Sequence, residues 1–188
     1  MKGAFIFLAD GFEDIEALGT LDILRRGGIP STTVSINDTP EVTSAHGVTV
    51  LAECLLDEFL DEGCDLEDIL IFPGGLPGAS NLAECKPLIA FTKTHFQHGG
   101  AVGAICAAPG LVVSQLPGIE GKKVTCYDGF EGHLEEKGAC YTGESVVTDG
   151  KLITGRGPAF AIEFGLAIVS FLKGADKAAE IRKGMLLN

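Results

Sequence analysis

At 188 residues the chain is long enough for one well-cored domain, 1–188, and short for two. Its 46% hydrophobic and 21% charged residues suit a folded globular protein and exclude a disordered one. The 14 Lys and Arg against 26 Asp and Glu leave a formal net charge of −12, and no basic run is longer than a pair such as Arg25-Arg26, so nucleic acid is not an expected partner.

The first element, Ala4–Ala9, is a continuous apolar run and reads as a strand buried on both faces. Asp10-Gly11 ends it. Glu13–Arg26 then places Ile15, Leu18, Leu21, Ile23 and Leu24 at helical spacing, with acids at its start, arginines at its end and Gly27-Gly28 as its stop. Ser31–Ile36 is the next strand, which completes a βαβ unit. Glu41–Ser44 and Val48–Leu51 form a hairpin around Ala45-His46-Gly47. The acids from Asp57 to Asp68 read as a solvated face. Ile69–Phe72 is a buried strand closed by Pro73-Gly74-Gly75, and a helix covers Lys86–Gln97. Ala101–Ile105 is the following buried strand, and Ala107–Gln115 a helix directly after Cys106. Lys123–Thr125, Ser145–Thr148 and Lys151–Thr154 are late strands, the last two paired through the Asp149-Gly150 turn. Helices over Pro158–Lys173 and Ala175–Leu186 finish the chain.

Strands alternating with helices predict an α/β sandwich with a mostly parallel sheet. Such sheets place their sites at the carboxyl ends of the strands, which directs attention to Asp10–Glu16, Pro73–Ala79, Cys106–Pro109 and Cys126–Phe130. No apolar stretch approaches the roughly 20 residues of a membrane span, so no membrane partner is expected. The run after Met1-Lys2 is too short for a secretory leader and meets Asp10, Glu13 and Asp14, which points to the cytoplasm. The six cysteines contain no CxxC pair and read as thiols, most of them buried as small hydrophobes.

Cys106 stands between a buried strand and a helix opened by Ala107-Ala108-Pro109. This is the context of a nucleophile elbow, where the apical residue is strained, exposed and lowered in pKa by the helix dipole; the alternative is a structural cysteine. Pro73-Gly74-Gly75 can turn its N–H groups toward an anion, or can be a permissive turn. Glu16 complements the dipole of its helix, unless the first strand and the Cys106 strand are neighbours, when it can face the sulfur. His95 and His98 complement a helix C-terminus, and His46 and His133 lie in turns, so no metal site is expected. Arg156, in Gly155-Arg156-Gly157-Pro158, either guards an anionic pocket or caps a solvent edge.

Gly11-Phe12-Glu13-Asp14-Ile15-Glu16-Ala17, Phe72-Pro73-Gly74-Gly75, Ala104-Ile105-Cys106-Ala107-Ala108-Pro109 and Thr154-Gly155-Arg156-Gly157-Pro158 stand in the order and spacing of the ThiJ/PfpI superfamily. The chain resembles its deglycase branch from about Phe5 to Ile181. The resemblance implies a flavodoxin-like three-layer sandwich of the class I glutamine amidotransferase-like kind, a homodimer and no cofactor. It implies that Cys106 is an oxidation-sensitive nucleophile, Glu16 a protonated acid on that sulfur, and Gly75 and Ala107 the N–H donors of an anion pocket. The implied substrates are small 2-oxoaldehydes or glycated adducts, in glyoxalase or deglycase chemistry under oxidative and carbonyl stress. The rival is a redox sensor or redox-regulated chaperone using the same cysteine. Three positions depart from related patterns. Tyr127 replaces the branch's histidine, leaving Glu16 or Tyr127 to handle protons, and His46 replaces a basic residue. Ala107 stands where the protease-like branch has histidine, which disfavours proteolysis.

Overall fold

The three runs that lack polar residues, Ala4–Leu8, Ile69–Phe72 and Ala101–Ile105, lie side by side at the centre of one sheet, where helices cover both faces. The computed structural model describes residues 3–187. In chain order its strands are β1 (Ala4–Leu8), β2 (Ser31–Ser35), β3 (Glu41–Thr43), β4 (Thr49–Leu51), β5 (Cys54–Leu55), β6 (Ile69–Phe72), β7 (Ala101–Ile105), β8 (Lys123–Val124), β9 (Cys140–Tyr141), β10 (Val146–Asp149) and β11 (Leu152–Gly155). Its helices are α1 (Thr20–Arg26), α2 (Leu56–Glu62), α3 (Gly78–Glu84), α4 (Lys86–Gln97), α5 (Ala108–Leu111), α6 (Glu131–Glu135), α7 (Ala161–Lys173) and α8 (Ala175–Gly184).

The main sheet has the order β10-β11-β7-β6-β1-β2-β5, and every pair is parallel except β10 with β11. This is the flavodoxin-like α/β architecture. The chain leaves β1 first toward β2 on one side and later toward β6 on the other. Two connections diverge there, and a crevice opens at the carboxyl ends of β1 and β6. Helices α1, α7 and α8 pack together on one side of the sheet, and α2, α3, α4 and α5 form the other helical layer. Phe7 stacks on Phe72 at 5.2 Å between ring centroids and meets Phe59 edge-on at 5.1 Å, which ties β1, β6 and α2 into the core.

Several local expectations are corrected. The helix expected over Glu13–Arg26 begins with a π-helical turn, Ile15–Gly19, before α1. The helix after Cys106 is only α5 followed by a 3₁₀ turn, Val113–Gln115. Another 3₁₀ turn, Pro158–Phe160, precedes α7. Part of the acidic run is α2, whose Glu58 side chain accepts the Leu55 N–H at 2.8 Å, and Asp68 at its end is buried, accepting the N–H groups of Gly3 and Asp65. His95 does stand in the last turn of α4, and it is buried there. Of the six free thiols, only Cys106 and Cys126 are buried; Cys54, Cys64 and Cys85 are half-buried, and Cys140 is exposed.

Candidate active site

Residue 106 must turn the chain from β7 into α5 within a single position, and Cys106 does so at φ +65°, a conformation that costs a non-glycine residue on the order of 1–3 kcal/mol. Hydrogen bonds on both sides hold it there. The Cys106 N–H donates to Gly155 O at 2.9 Å, and its carbonyl accepts the Tyr127 N–H at 2.8 Å.

The acid arrives by another route. The adjacency of β1 and β7, on which the role of Glu16 was conditional, does not occur, because β6 lies between them. Glu16 nevertheless reaches the thiol across the end of β6. In the π turn its N–H donates to Glu13 Oε2 at 2.8 Å, and its own Oε2 accepts the Gly74 N–H at 2.8 Å. Gly74 is the spacer that makes this approach possible: a Cβ there would stand 2.5 Å from Cys106 Cβ, 2.7 Å from Glu16 Oε2 and 2.9 Å from Cys106 Sγ. Gly75 is constrained differently. At φ +86° it turns against the first loop, and a Cβ would sit 2.4 Å from both Glu13 N and Gly11 O.

Glu16 is 1% exposed, and its Oε1 has no hydrogen-bond donor of its own. Burial, with the nearby charge of Glu13, lifts its carboxyl to about 7 against the opposing pull of the Gly74 N–H and the Cys106 thiol. The apical cysteine departs from the sequence expectation in two respects. It is 8% exposed, hence buried, and its thiol is pushed up to about 12 by burial and then by the neighbouring Glu16 charge, with the Gly75 and Ala107 N–H groups pulling the other way. A four-residue helix has too little dipole to offset that. At neutral pH the thiol therefore keeps its proton while the carboxyl is close to half-protonated, and the two are coupled: once Glu16 is neutral, its repulsion of a thiolate vanishes and its O–H can donate to sulfur.

The remaining candidates lie beside this pair. Tyr127, Arg156 and Phe160 line an adjacent cleft of about 270 Å³, with Asp128, Gly157 and Pro158. The Tyr127 ring is 49% exposed, and only its backbone N–H touches Cys106, so the structure does not bring its hydroxyl to the sulfur. Arg156 is engaged by Asp128 Oδ1, at 3.0 Å from Nε and 2.8 Å from Nη2, and by Gly143 O at 3.1 Å; it caps that edge. His133 is exposed, next to Phe130. His46 sits near the entrance to the first loop, its Nδ1 2.7 Å from Asp14 Oδ2, and this bond raises its pKa.

Among the described residues, Glu13, Asp14 and His46 form the one group whose ligand atoms lie within 4.8 Å of one another, an arrangement the sequence did not suggest. Three of its four carboxylate oxygens already accept or hold a hydrogen bond: Asp14 holds His46 and the Ser44 hydroxyl, and Glu13 Oε2 holds the Glu16 N–H. No helix of the described residues is long and apolar enough to cross a membrane.

A family model described as DJ-1/PfpI matches residues 2–171. Protein DJ-1 homolog B of Arabidopsis thaliana is 38% identical over 96% of this chain, and the chain spans 40% of that relative's length. A Caenorhabditis elegans protein named glutathione-independent glyoxalase DJR-1.2 is 35% identical over 99% of this chain and 97% of its own. Among solved structures, oxidized Toxoplasma gondii DJ-1 superposes with a TM-score of 0.91 at 31% identity, covering 99% of this chain and 98% of its own.

Proposed function

Because the chain belongs to the DJ-1/PfpI family, we propose that its Cys106–Glu16 pair, carried by one domain over 1–188, converts small 2-oxoaldehydes or reverses their adducts, as a cofactor-independent glyoxalase or deglycase. The observation that supports this most is a buried carboxyl held near neutrality against a buried thiol, since an acid–base group works best when its pKa lies close to the working pH.

With methylglyoxal, the Glu16 carboxylate takes the Cys106 thiol proton, the sulfur attacks the aldehyde carbon while the C=O π electrons move to oxygen, and Glu16 returns that proton to complete the hemithioacetal. The Gly75 and Ala107 N–H groups, which face the sulfur, receive the developing oxyanion. The Glu16 carboxylate then removes the C1 proton and delivers it to C2 by way of an enediol, while the C1 hydroxyl proton passes to the C2 oxygen, giving a lactoyl thioester. Water attacks that carbonyl, the C–S bond breaks, and lactate leaves with the thiol restored. The sum is substrate plus water, with no outside oxidant or reductant. The printed name of the C. elegans relative is consistent with this reading.

The test is lactate formation from methylglyoxal by wild type, Cys106→Ser and Glu16→Gln, with metal chelated and buffer scavenging subtracted. Sustained turnover lost in both variants supports the proposal; turnover surviving in Cys106→Ser overturns it.

A second reading rests on Glu16 Oε1, which has no donor of its own, and on the oxidized state named for the Toxoplasma structure. Two equivalents of peroxide would take Cys106 through the sulfenic to the sulfinic acid, each peroxide leaving as water, and protonated Glu16 would hydrogen-bond a sulfinate oxygen and arrest the ladder there. Absence of lactate above background, with selective sulfinate formation at Cys106, favours this sensor. Both readings suit a reducing compartment such as the cytoplasm, where six free thiols persist.

We place a second copy of the chain against the face made by α1, its π turn and the β3–β4 hairpin. There Leu18 and Leu21 meet Val50 and Leu51 in a shallow cleft, and Ile15, Val48 and Leu51 are exposed.

A further inference from the structure

The sequence offers no basic run longer than a pair, yet the fold builds a basic surface from lysines that are far apart in the chain. Two clefts of about 500 and 560 Å³ adjoin each other and share Gln97 and Pro117 as the saddle between them. The first is walled by Lys93 of α4 and by Lys137, which follows α6. The second is walled by Lys122, which precedes β8, and by Lys151, which precedes β11. No carboxylate lines either cleft, although the chain carries 26 acids.

These cations are largely free of competing charge. Among the described residues, Lys93 and Lys137 have no ion-pair partner, and Lys151 lies over the Phe171 ring at 5.5 Å. Lys122 is 3.6 Å from Asp149, among the described residues the only carboxylate to pair with any of the four. The floor of the second cleft is open: at Gly99 and Gly118 nothing lies within 4 Å of where a Cβ would stand. The saddle is apolar on its Pro117 side, with Leu116 and Phe96 flanking it.

We propose that this double cleft binds a small molecule bearing a phosphoryl group at each end, one per lysine pair, with an uncharged link crossing Gln97 and Pro117. Two lysines wall each basin, against a charge of roughly −1.5 to −2 on a phosphate monoester, whereas a carboxylate needs only one; in the second basin the ligand takes Lys122 over from Asp149. Lysine is well suited to this as a compact point charge with three donors. Each basin also falls within the few hundred Å³ typical of small-ligand sites. A long polyanion does not fit the same surface, since beyond the four lysines it would run over a protein of net charge −12. The site is separate from the thiol: Gly99 and Gly150 precede the amino ends of β7 and β11, while Cys106 and Gly74 follow the carboxyl ends of β7 and β6.

The probes are hexamethylene bisphosphate, whose flexible link adapts to the span between basins, and hexyl phosphate, titrated calorimetrically into the full chain at about 150 mM salt, where exposed charges are screened beyond about 8 Å. The bisphosphate is expected to bind at least about tenfold more tightly than the monophosphate, and Lys93→Gln or Lys122→Gln to abolish that advantage. Lys173→Gln, outside the clefts, leaves it unchanged. Equal affinities, no binding of either probe, or an advantage that survives both cleft variants overturns the proposal. All three substitutions replace partly exposed side chains, and a thermal melt verifies that each variant is folded.

Discussion

Glu16 and Cys106 meet over the end of a strand to which neither belongs: β6 separates β1 from β7, and the missing side chain of Gly74 is the gap through which carboxyl and thiol approach. Gly74→Ala puts a methyl group into that gap. Its backbone is not in the left-handed region, so the effect is one of space alone. The variant is expected to fold with a loss of about 1–3 kcal/mol and to lose most methylglyoxal turnover. Denaturant melts and the lactate assay check it; full activity in a folded variant would show that the pair does not react as a unit.

The raised pKa of Glu16 fixes a direction for stability against pH. The unfolded chain ionises this group near 4.5 and the folded chain near 7, so its contribution is fully present below 4.5 and is lost as pH rises through about 7. The whole span amounts to about 3 kcal/mol. Between pH 5 and 8 the Tm of wild type should therefore fall more steeply than that of Glu16→Gln, and parallel curves would remove the buried-acid assignment.

Thiol reactivity and turnover should move in opposite directions in that same variant. At pH 9 wild-type Glu16 is ionised and holds Cys106 up, whereas a glutamine has no charge to do so. Iodoacetamide should then alkylate Cys106 about tenfold faster in Glu16→Gln, while lactate formation drops by roughly 10²–10⁴-fold. A variant slowed in both reactions would mean that the carboxyl only packs the site.

His95 acts in the other direction. It is 4% exposed, its Nδ1 lies 3.7 Å from Cys64 Sγ, and burial lowers its pKa below the usual 6.5 despite the facing Asp68. The unfolded chain therefore takes up a proton first, and stability is lost as pH falls below 6.5. In a Glu16→Gln background, which removes the opposing trend, adding His95→Gln should flatten the acid limb of the Tm curve.

Leu51 is 69% exposed on the face assigned to a second copy. Leu51→Asp is expected to shift the chain from dimer to monomer in analytical ultracentrifugation, without a change in its far-UV circular dichroism. A wild type that sediments as a monomer would remove that face from consideration.

The central strands were legible because a run such as Ile69–Phe72 or Ala101–Ile105 has no polar face to hide, and the turn at Cys106 because small residues and Pro109 follow it at once. The two-residue strand Cys54–Leu55 and the small-residue helix Gly78–Glu84 were not: neither is long enough to show a period, and both are defined by what they pack against. The same limit applied at the site. A helix dipole can be inferred from neighbouring residues, but what outweighs it is first the burial of the thiol and then a carboxylate 90 positions away in the chain, across an intervening strand. Lys93, Lys122, Lys137 and Lys151 were invisible as a group for a similar reason, since each stands in a different element or loop.

The π turn at Ile15–Gly19 separates two angular phases along one rod. Thr20, Ile23 and Leu24 follow the stripe that faces the core, whereas Glu16, one wider turn earlier, is set by the loop and by Gly74. Each residue of an ordinary helix advances about 100°, so closing the wide turn by deleting a single residue would swing the acid away from the sulfur even if the core stripe kept its place. The direction in which Glu16 points is thus recorded in a count of residues, and repacking the core below it leaves that count untouched.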